Sequence, residues 1–397
     1  MIIREEALEN MSSGLFILPG LKNDKIYMNR AIRLARKGAG WINPNPMVGA
    51  VLVKDDRIIG EGYHEYFGGP HAEVNAIAAA GDSARGSTLY VTLEPCSHHG
   101  KTPPCTQLIA GKGIRKVVIG MKDPNPLVNG KGIEFLRSSD IEVVADTPGK
   151  EILRLNEVFI KFITTGLPFC TLKTAMTLDG KTATVTNAAR WISGEVSRKL
   201  VHELRQEYSA VLAGIDTIVF DNPLMTTRRS GKKSRNALKV VADSTGKIPL
   251  SAKVLQNEPQ LLILATTGLA DTDKLTAIER MGAQVLICPV KENRVDLPFL
   301  FRSLGVMGID SILLEGGSTL AFTALKEGLV DKIISFIAPK ILGGKGAPTP
   351  VGGEGLQVME EAIPVRRWEF KKLGEDIMIE GYLDRTGSEG DVGNEGS

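Results

Sequence analysis

Apolar positions change period repeatedly along the chain. From Asp24 the segment KIYMNRAIRLARKG has helical spacing, and VGAVLV and RIIGEGYH, split by the turn residues Lys54-Asp55-Asp56, read as two strands. HAEVNAIAAAG predicts a helix closing on Gly81, TLYVTLE a strand, TQLIAGKG a helix, and KVVIGM and IEVVAD two more strands. GKEILRLNEVFIKFITTG reads as one amphipathic helix ending at Gly166 before Pro168, and the domain boundary is placed there. Beyond it TLKTAM, SAVLAG, LKVVAD, LLILAT, QVLIC, SILLE and KIISFIA are short buried-strand candidates separated by helical segments. Helices between strands imply central sheets with covered faces, so the chain is expected to be α/β. The reading divides it into an N-terminal extension (1–23), a first domain (24–166), a second domain (167–385) and a polar, acidic tail (386–397) expected to be disordered.

Composition narrows the partners. Forty-eight basic residues against 46 acidic ones leave a formal charge of +2, too small a field to suggest nucleic acid or an anionic membrane. No apolar run approaches the roughly 20 residues of a membrane helix. The opening stretch MIIREEALENMSSGLFILPG has no basic leader before a long apolar core and reads as a poor signal peptide. The cytoplasm is the expected compartment, where a spaced cysteine pair serves metal binding or catalysis more often than a disulfide.

The chemistry starts at EPCSHHGKTPPC, Glu94 to Cys105, which holds two of the four cysteines and two of the five histidines. Upstream, GGPHAEVNAI places His71 and Glu73 at the start of a helix. One imidazole and two thiolates, from His71, Cys96 and Cys105, make a zinc ligand set that leaves a fourth position for water. Zinc lowers the pKa of such a water toward about 7, and Glu73 then carries a proton from it to a leaving nitrogen. The order HxE, then PC, is that of zinc deaminases, although eight residues stand between the cysteines where the common spacing has two. His98 and His99 read as part of that inserted loop and not as ligands. In the second half, Gly316-Gly317 follows a strand, and Ser318 and Thr319 open a helix. That suits a phosphate cradle, and equally a plain strand-to-helix turn. The GxGxxG of a Rossmann site is absent from this segment.

The runs AGWINPNPMVGAVLVKDDRIIGEGYHEYFGGPHAEVNAI, LEPCSHHGKTPPCTQLI and MKDPNPLVNGKGIEFL resemble the deaminase half of the bifunctional riboflavin-biosynthesis deaminase–reductases, whose cysteine spacing is the one found here. TAMTLDGKTA, RWISG, HELR, AGIDTIVFDNPLMTTR and LLEGGSTLAFTAL resemble the reductase half. The resemblance implies a cytidine-deaminase-like three-layer α/β/α domain followed by a dihydrofolate-reductase-like α/β domain. It also implies zinc, NADPH, a small phosphoribosylaminopyrimidine substrate and a homo-oligomer. Its substrate contacts fall on Asn45, His64, Asp123 and Asn125 in the first half, and on Ala189, Arg205, Met225, Arg228 and Glu315 in the second. Its cofactor contacts fall on Ala175, Trp191, Thr217, Asp221, Ser244 and the stretch Gly317, Ser318, Thr319, Leu320, Ala321, Phe322 and Thr323. Arg205 and Arg228 suit a ribose 5-phosphate, because a guanidinium fork matches phosphate oxygens. Ala189 stands where the family usually has Ser, so a contact there would run through the backbone.

The implied reactions are hydrolytic deamination of 2,5-diamino-6-(5-phosphoribosylamino)pyrimidin-4(3H)-one, then NADPH-dependent reduction at ribose C1′. No side-chain acid for the second step stands out in the sequence. Two other classes share part of the pattern. A nucleic-acid deaminase would need a basic, aromatic-lined groove, whereas only 5% of residues are aromatic. A zinc-stabilised scaffold would need a fourth protein ligand and would have no use for Glu73.

Overall fold

The structure is a computed structural model that describes residues 19–97, 103–126, 128–145, 149–231 and 233–383. The expected tail lies outside these residues, as does most of the expected N-terminal extension. Two compact units emerge: the described residues up to Gly38 with Met47–Leu155, and Ala39–Pro46 with Asn156 onward.

The first unit runs α1 (Pro19–Ala35), β1 (Gly49–Lys54), β2 (Arg57–Tyr63), α2 (Ala72–Ala80), β3 (Thr88–Val91), α3 (Cys105–Gly111), β4 (Lys116–Ile119), α4 (Lys131–Ser138), β5 (Glu142–Ala145) and α5 (Lys150–Leu155). Its sheet has the order β2-β1-β3-β4-β5, antiparallel through β2, β1 and β3 and parallel from β3 to β5. Alternate residues of β1 serve opposite faces, as strand geometry requires. Ala50 and Leu52 pack with Ala76, Ile109 and Ile133 of three helices, while Val51 and Val53 pack with Ala31 and Leu34 of α1. The result is a three-layer α/β/α unit. Gly62 makes one of its contacts possible: a Cβ there would stand 2.4 Å from the Ala72 carbonyl oxygen, so the start of α2 is pressed onto β2.

The second unit comprises α6 (Glu157–Thr165), β6 (Phe169–Thr177), α7 (Glu195–Glu207), β7 (Ala210–Gly214), α8 (Ile215–Asp221), β8 (Leu238–Ala242), α9 (Lys253–Gln256), β9 (Leu262–Thr266), α10 (Thr272–Arg280), β10 (Gln284–Ile287), β11 (Val290–Lys291), β12 (Arg294–Val295), α11 (Leu297–Val306), β13 (Ser311–Glu315), α12 (Ser318–Lys326), β14 (Lys332–Ala338), β15 (Val365–Leu373) and β16 (Asp376–Leu383). Nine strands form one sheet, β10-β9-β8-β7-β13-β6-β14-β16-β15, parallel except at β16 and β15. Both faces are covered. Ile312 and Leu314 of β13 face a core with Phe301 and Ala324, and Leu313 faces Leu204 and Phe336. Polar pairs tie separate elements of this unit together. Lys332 pairs with Glu157 at 2.9 Å and with Glu380 at 2.7 Å, and Asn43 donates to both Asp310 carboxylate oxygens at 3.0 and 3.2 Å.

All seven strands expected in the second half form. Three local features differ from the sequence reading. The helix expected over 149–166 is two, α5 and α6, because Asn156 leaves the helical region (φ −115, ψ 20) and accepts the Ile160 N–H as the start of a new helix. The short antiparallel pair β11 and β12 stands outside the strand candidates, and Asp221 is the last residue of α8, which Asn222 closes in the left-handed conformation at φ 42. The antiparallel pair β15 and β16 has no counterpart in the strand candidates.

Candidate active sites

The first site forms where the N-termini of α2 and α3 meet the chain leaving β3. His71 caps α2 in an extended conformation (φ −70, ψ 161), Cys96 follows β3, and Cys105 is the first residue of α3. The His71 Nδ1 atom lies 3.3 Å from Cys105 Sγ and 3.6 Å from Cys96 Sγ, and the ligating atoms of the three residues all lie within 4.8 Å of one another. Among the described residues these three form the group; His98 and His99 lie outside the described residues. An imidazole with two thiolates at this spacing fits zinc, a borderline-soft cation. The Cys105 amide, at the start of α3, donates to Cys96 Sγ at 3.4 Å. A hydrogen bond from the Cys105 thiol pulls Cys96 down to about 4, against burial and helped by His71, while Cys105 is pushed up.

Glu73 sits in the first turn of α2, 3% exposed. Burial raises its pKa; His71 acts in the opposite direction. A carboxyl group that readily takes up a proton beside a metal site is the property a proton carrier needs.

His64 is buried with its ring edge-on to His71, 5.7 Å between centroids, and its Nδ1 lies 3.0 Å from the Pro70 carbonyl. Burial lowers its pKa, which the Pro70 carbonyl opposes. Asp123 Oδ1 accepts the Asn125 N–H at 2.9 Å, so these two side-chain positions are set as one turn. Asn45 belongs to the Ala39–Pro46 segment, which clusters with the second unit, and its N–H donates to the Ile42 carbonyl.

The second site is a cavity of about 780 Å³ whose lining includes Ala175, Ala189, Trp191, Thr217, Asp221 and Met225, together with Arg205, Arg228 and Glu315. A smaller cavity of about 280 Å³ is lined by Ser244, Gly317, Thr319, Leu320 and Thr323. Gly316 borders the first and Gly317 the second, so the two flank one peptide. Both glycines have φ +84, and a Cβ on Gly316 would stand 2.9 Å from Thr217 Oγ1. A backbone cradle that only glycine can form, opening the nine-residue α12, fits the diphosphate of a dinucleotide.

Helical periodicity turns part of the expected cofactor stretch away from both cavities. Ala321 is 1% exposed in the core, and Phe322 packs where a Cβ on Gly353 would lie, 2.5 Å from its ring. Ser318 Oγ faces Gly352. Arg205 is committed within the protein: Nε and one Nη bind the Glu315 carboxylate at 2.7 and 2.9 Å, and the other Nη binds the Thr226 carbonyl at 3.0 Å. Arg228 is exposed at the cavity. Burial alone would raise Glu315, but Arg205 and Lys173 outweigh it and hold the carboxyl at about 2.

Three residues in or beside these sites were absent from the expected set. Lys173 lies 3.1 Å from Glu315, and His202 accepts the Arg228 N–H at Nδ1, 3.2 Å away. Glu94 binds the loop of Asp123. A lysine inside the apolar run TLKTAM, and a histidine three positions before Arg205 on one helix face, were the available signals for the first two.

Two family models match the chain: the cytidine and deoxycytidylate deaminase zinc-binding region over residues 21–121, and the RibD C-terminal domain over residues 168–379. The riboflavin biosynthesis protein RibD of Actinobacillus pleuropneumoniae is 44% identical across 90% of this chain and 94% of its own length. That of Aquifex aeolicus is also 44% identical, across 90% and 97%. Among solved structures, RibD of Acinetobacter baumannii is similar with a TM-score of 0.82 at 35% identity, covering 92% of this chain and all, 100%, of that one. A diaminohydroxyphosphoribosylaminopyrimidine deaminase/5-amino-6-(5-phosphoribosylamino)uracil reductase from Thermotoga maritima is similar with a TM-score of 0.77 at 39% identity, covering 91% and 99%.

Proposed function

The chain belongs to the RibD family, and from that premise we propose how its residues divide the work of a bifunctional riboflavin-biosynthesis enzyme. The enzyme is a zinc-dependent deaminase joined to an NADPH-dependent reductase. Its proposed substrate is 2,5-diamino-6-(5-phosphoribosylamino)pyrimidin-4(3H)-one, deaminated to 5-amino-6-(5-phosphoribosylamino)uracil and then reduced at the ribose.

In the deaminase half His71, Cys96 and Cys105 would hold the zinc, which when bound makes water ionisable near neutral pH. Glu73 takes the proton from that water and delivers it to the departing nitrogen, so ammonia leaves neutral. Asp123, Asn125, His64 and Asn45 present short polar groups to the pyrimidine and ribose. In the reductase half NADPH supplies the hydride, and the Gly316–Gly317 peptide with the start of α12 would hold its diphosphate. Ala175, Trp191, Thr217, Asp221 and Ser244 border the remaining cofactor space. Arg228, with its guanidinium at the cavity, binds the substrate 5-phosphate, while Arg205 and Glu315 form the polar wall behind it.

The functional domains are proposed as 24–166 and 167–385. Residues 39–46 and α6 pack with the second compact unit, so the folding units and the functional units are offset there. We place the enzyme in the cytoplasm, since Cys96 and Cys105 must stay reduced to bind metal. We also read it as a homo-oligomer. The edge strand β15 exposes Trp368 (58%) and Phe370 (69%), ring centroids 6.4 Å apart, which suits cover by a second copy.

The observation that carries the reading is the convergence of His71, Cys96 and Cys105 beside buried Glu73. The test is incubation with the diaminopyrimidinone phosphate, following ammonia and NADPH in parallel with and without a chelator. Chelation should stop ammonia release yet leave NADPH oxidation intact when the deaminated compound is supplied. Ammonia release that survives complete zinc removal would refute the site.

A further inference from the structure

Glu94 stands directly before Pro95-Cys96 and is 3% exposed. Its carboxylate accepts four backbone N–H groups. Oε2 takes those of Asp123 at 3.1 Å and Gly130 at 3.0 Å; Oε1 takes those of Gly132 at 2.9 Å and Ile133 at 3.2 Å. The first two bracket the loop that carries Asp123 and Asn125. The other two belong to the first turn of α4, whose cap residue Gly130 has no side chain to satisfy them. A Cβ on Gly132 would stand 2.2 Å from the Pro95 carbonyl oxygen and 3.0 Å from Glu94 Oε1, so the helix start is pressed onto this residue.

A side chain needed only to fill space here would not carry a charge. Four convergent donors instead let one carboxylate join the strand end leading to Cys96, the turn of Asp123 and the helix after it. From Asp123 the connection continues to Asn125 through the 2.9 Å bond at Oδ1. We propose that Glu94 is a positioning residue for deamination, holding Asp123 and the start of α4 so that Asp123 and Asn125 meet the pyrimidine. The proposal rests on the reading of Asp123 and Asn125 as substrate contacts.

The test uses the full-length, zinc-loaded enzyme. Glu94→Gln turns one acceptor into a donor facing N–H groups, and about a tenfold rise in deaminase KM is expected from the lost charge-assisted bonds. Zinc content, deaminase kcat and reduction of supplied deaminated substrate should stay at wild-type values. Asn125→Ala should raise KM by itself, and adding Glu94→Gln to it should raise KM by less than the product of the two single effects, because both act partly through the same turn. A wild-type KM in Glu94→Gln, a fully additive double variant, or loss of zinc in Glu94→Gln would each overturn the proposal. A wild-type KM in Asn125→Ala would instead overturn the substrate reading of the loop. Should the Gln variant not fold, amide exchange in the wild-type protein decides: the N–H groups of Asp123, Gly130, Gly132 and Ile133 must be protected, and exchange at open-loop rates refutes the clamp.

Discussion

The Glu315 carboxylate meets Arg205 through two parallel bonds, Nε to Oε1 at 2.7 Å and Nη2 to Oε2 at 2.9 Å, and Lys173 Nζ stands 3.1 Å from Oε2. One buried anion thus balances two cations beside the larger cavity. Glu315→Gln keeps the volume and removes the charge, leaving both cations uncompensated. Breaking a buried pair in this way costs roughly 3–5 kcal/mol. Denaturant unfolding should show that loss in the reductase unit, and NADPH oxidation should fall with it while ammonia release is unchanged. A variant of wild-type stability would mean that water, and not Glu315, balances the pair.

If Glu73 carries the proton of the first reaction as proposed, Glu73→Gln should lower ammonia release by about 10²–10⁴-fold. Zinc binding should persist, since Glu73 stands outside the group His71, Cys96 and Cys105 whose ligating atoms converge, and reduction of the supplied uracil compound should run at the wild-type rate. Metal analysis and the two assays on one preparation check this. Ammonia release within a fewfold of wild type would remove Glu73 from the mechanism.

The parts legible in the sequence were those whose cause is local. Strands covered on both faces read as apolar runs, so β6 to β9, β13 and β14 could be seen directly. HAE and PC lie at element ends in short motifs, and the metal triad followed from them. The parts not legible depend on partners distant in the chain. Arg205 and Glu315 are 110 positions apart, so nothing in HELR indicated that the guanidinium was already committed. Glu94 lies 36 positions from Gly130, whose N–H it accepts. Strand β15, VRRWEFKKL, is exposed along nearly its whole length, and its five charged residues break the apolar run by which the covered strands are read. The resemblance implies the whole stretch from Gly317 to Thr323, but a helix shows only some of its residues to any one cavity, and Ala321 and Phe322 point elsewhere.

His202 gives the reductase unit a pH dependence. Burial first, then the charges of Arg205 and Arg228, lower its pKa from 6.5 to about 4. Between those values the unfolded chain binds a proton that the folded chain refuses, so stability falls as pH drops from 6.5 toward 4 and this contribution is absent above 6.5. Because the ring is only partly buried, the effect should be on the order of 1 kcal/mol. His202→Asn retains an acceptor for the Arg228 N–H without the titration. Unfolding free energies at about pH 5 and pH 7 should therefore differ less in the variant than in the wild type by that amount. Equal differences would show that the imidazole titrates normally.

The exposed edge of the nine-stranded sheet makes the last prediction. Val365, Trp368, Phe370 and Ile377 lie on β15 and β16 at exposures of 39% to 69%, and β15 pairs with β16 on one side only. An edge strand carrying two large aromatic side chains in water is an aggregation hazard unless another chain covers it. Two copies meeting there would bury those rings and supply the missing strand partner. Light scattering should accordingly give a mass above the 42.8 kDa of one chain. Replacing Trp368 and Phe370 together by Glu should return the mass to that of a single chain, because charges at the centre of an apolar interface lose their water without gaining a partner. NADPH oxidation by the monomeric variant should remain measurable, since neither cavity of the reductase unit is lined by these residues, and ammonia release should remain because His71, Cys96 and Cys105 belong to the other unit. A wild-type protein that is monomeric at micromolar concentration, or a Glu/Glu variant that keeps its oligomeric mass, would show that this edge is not the interface.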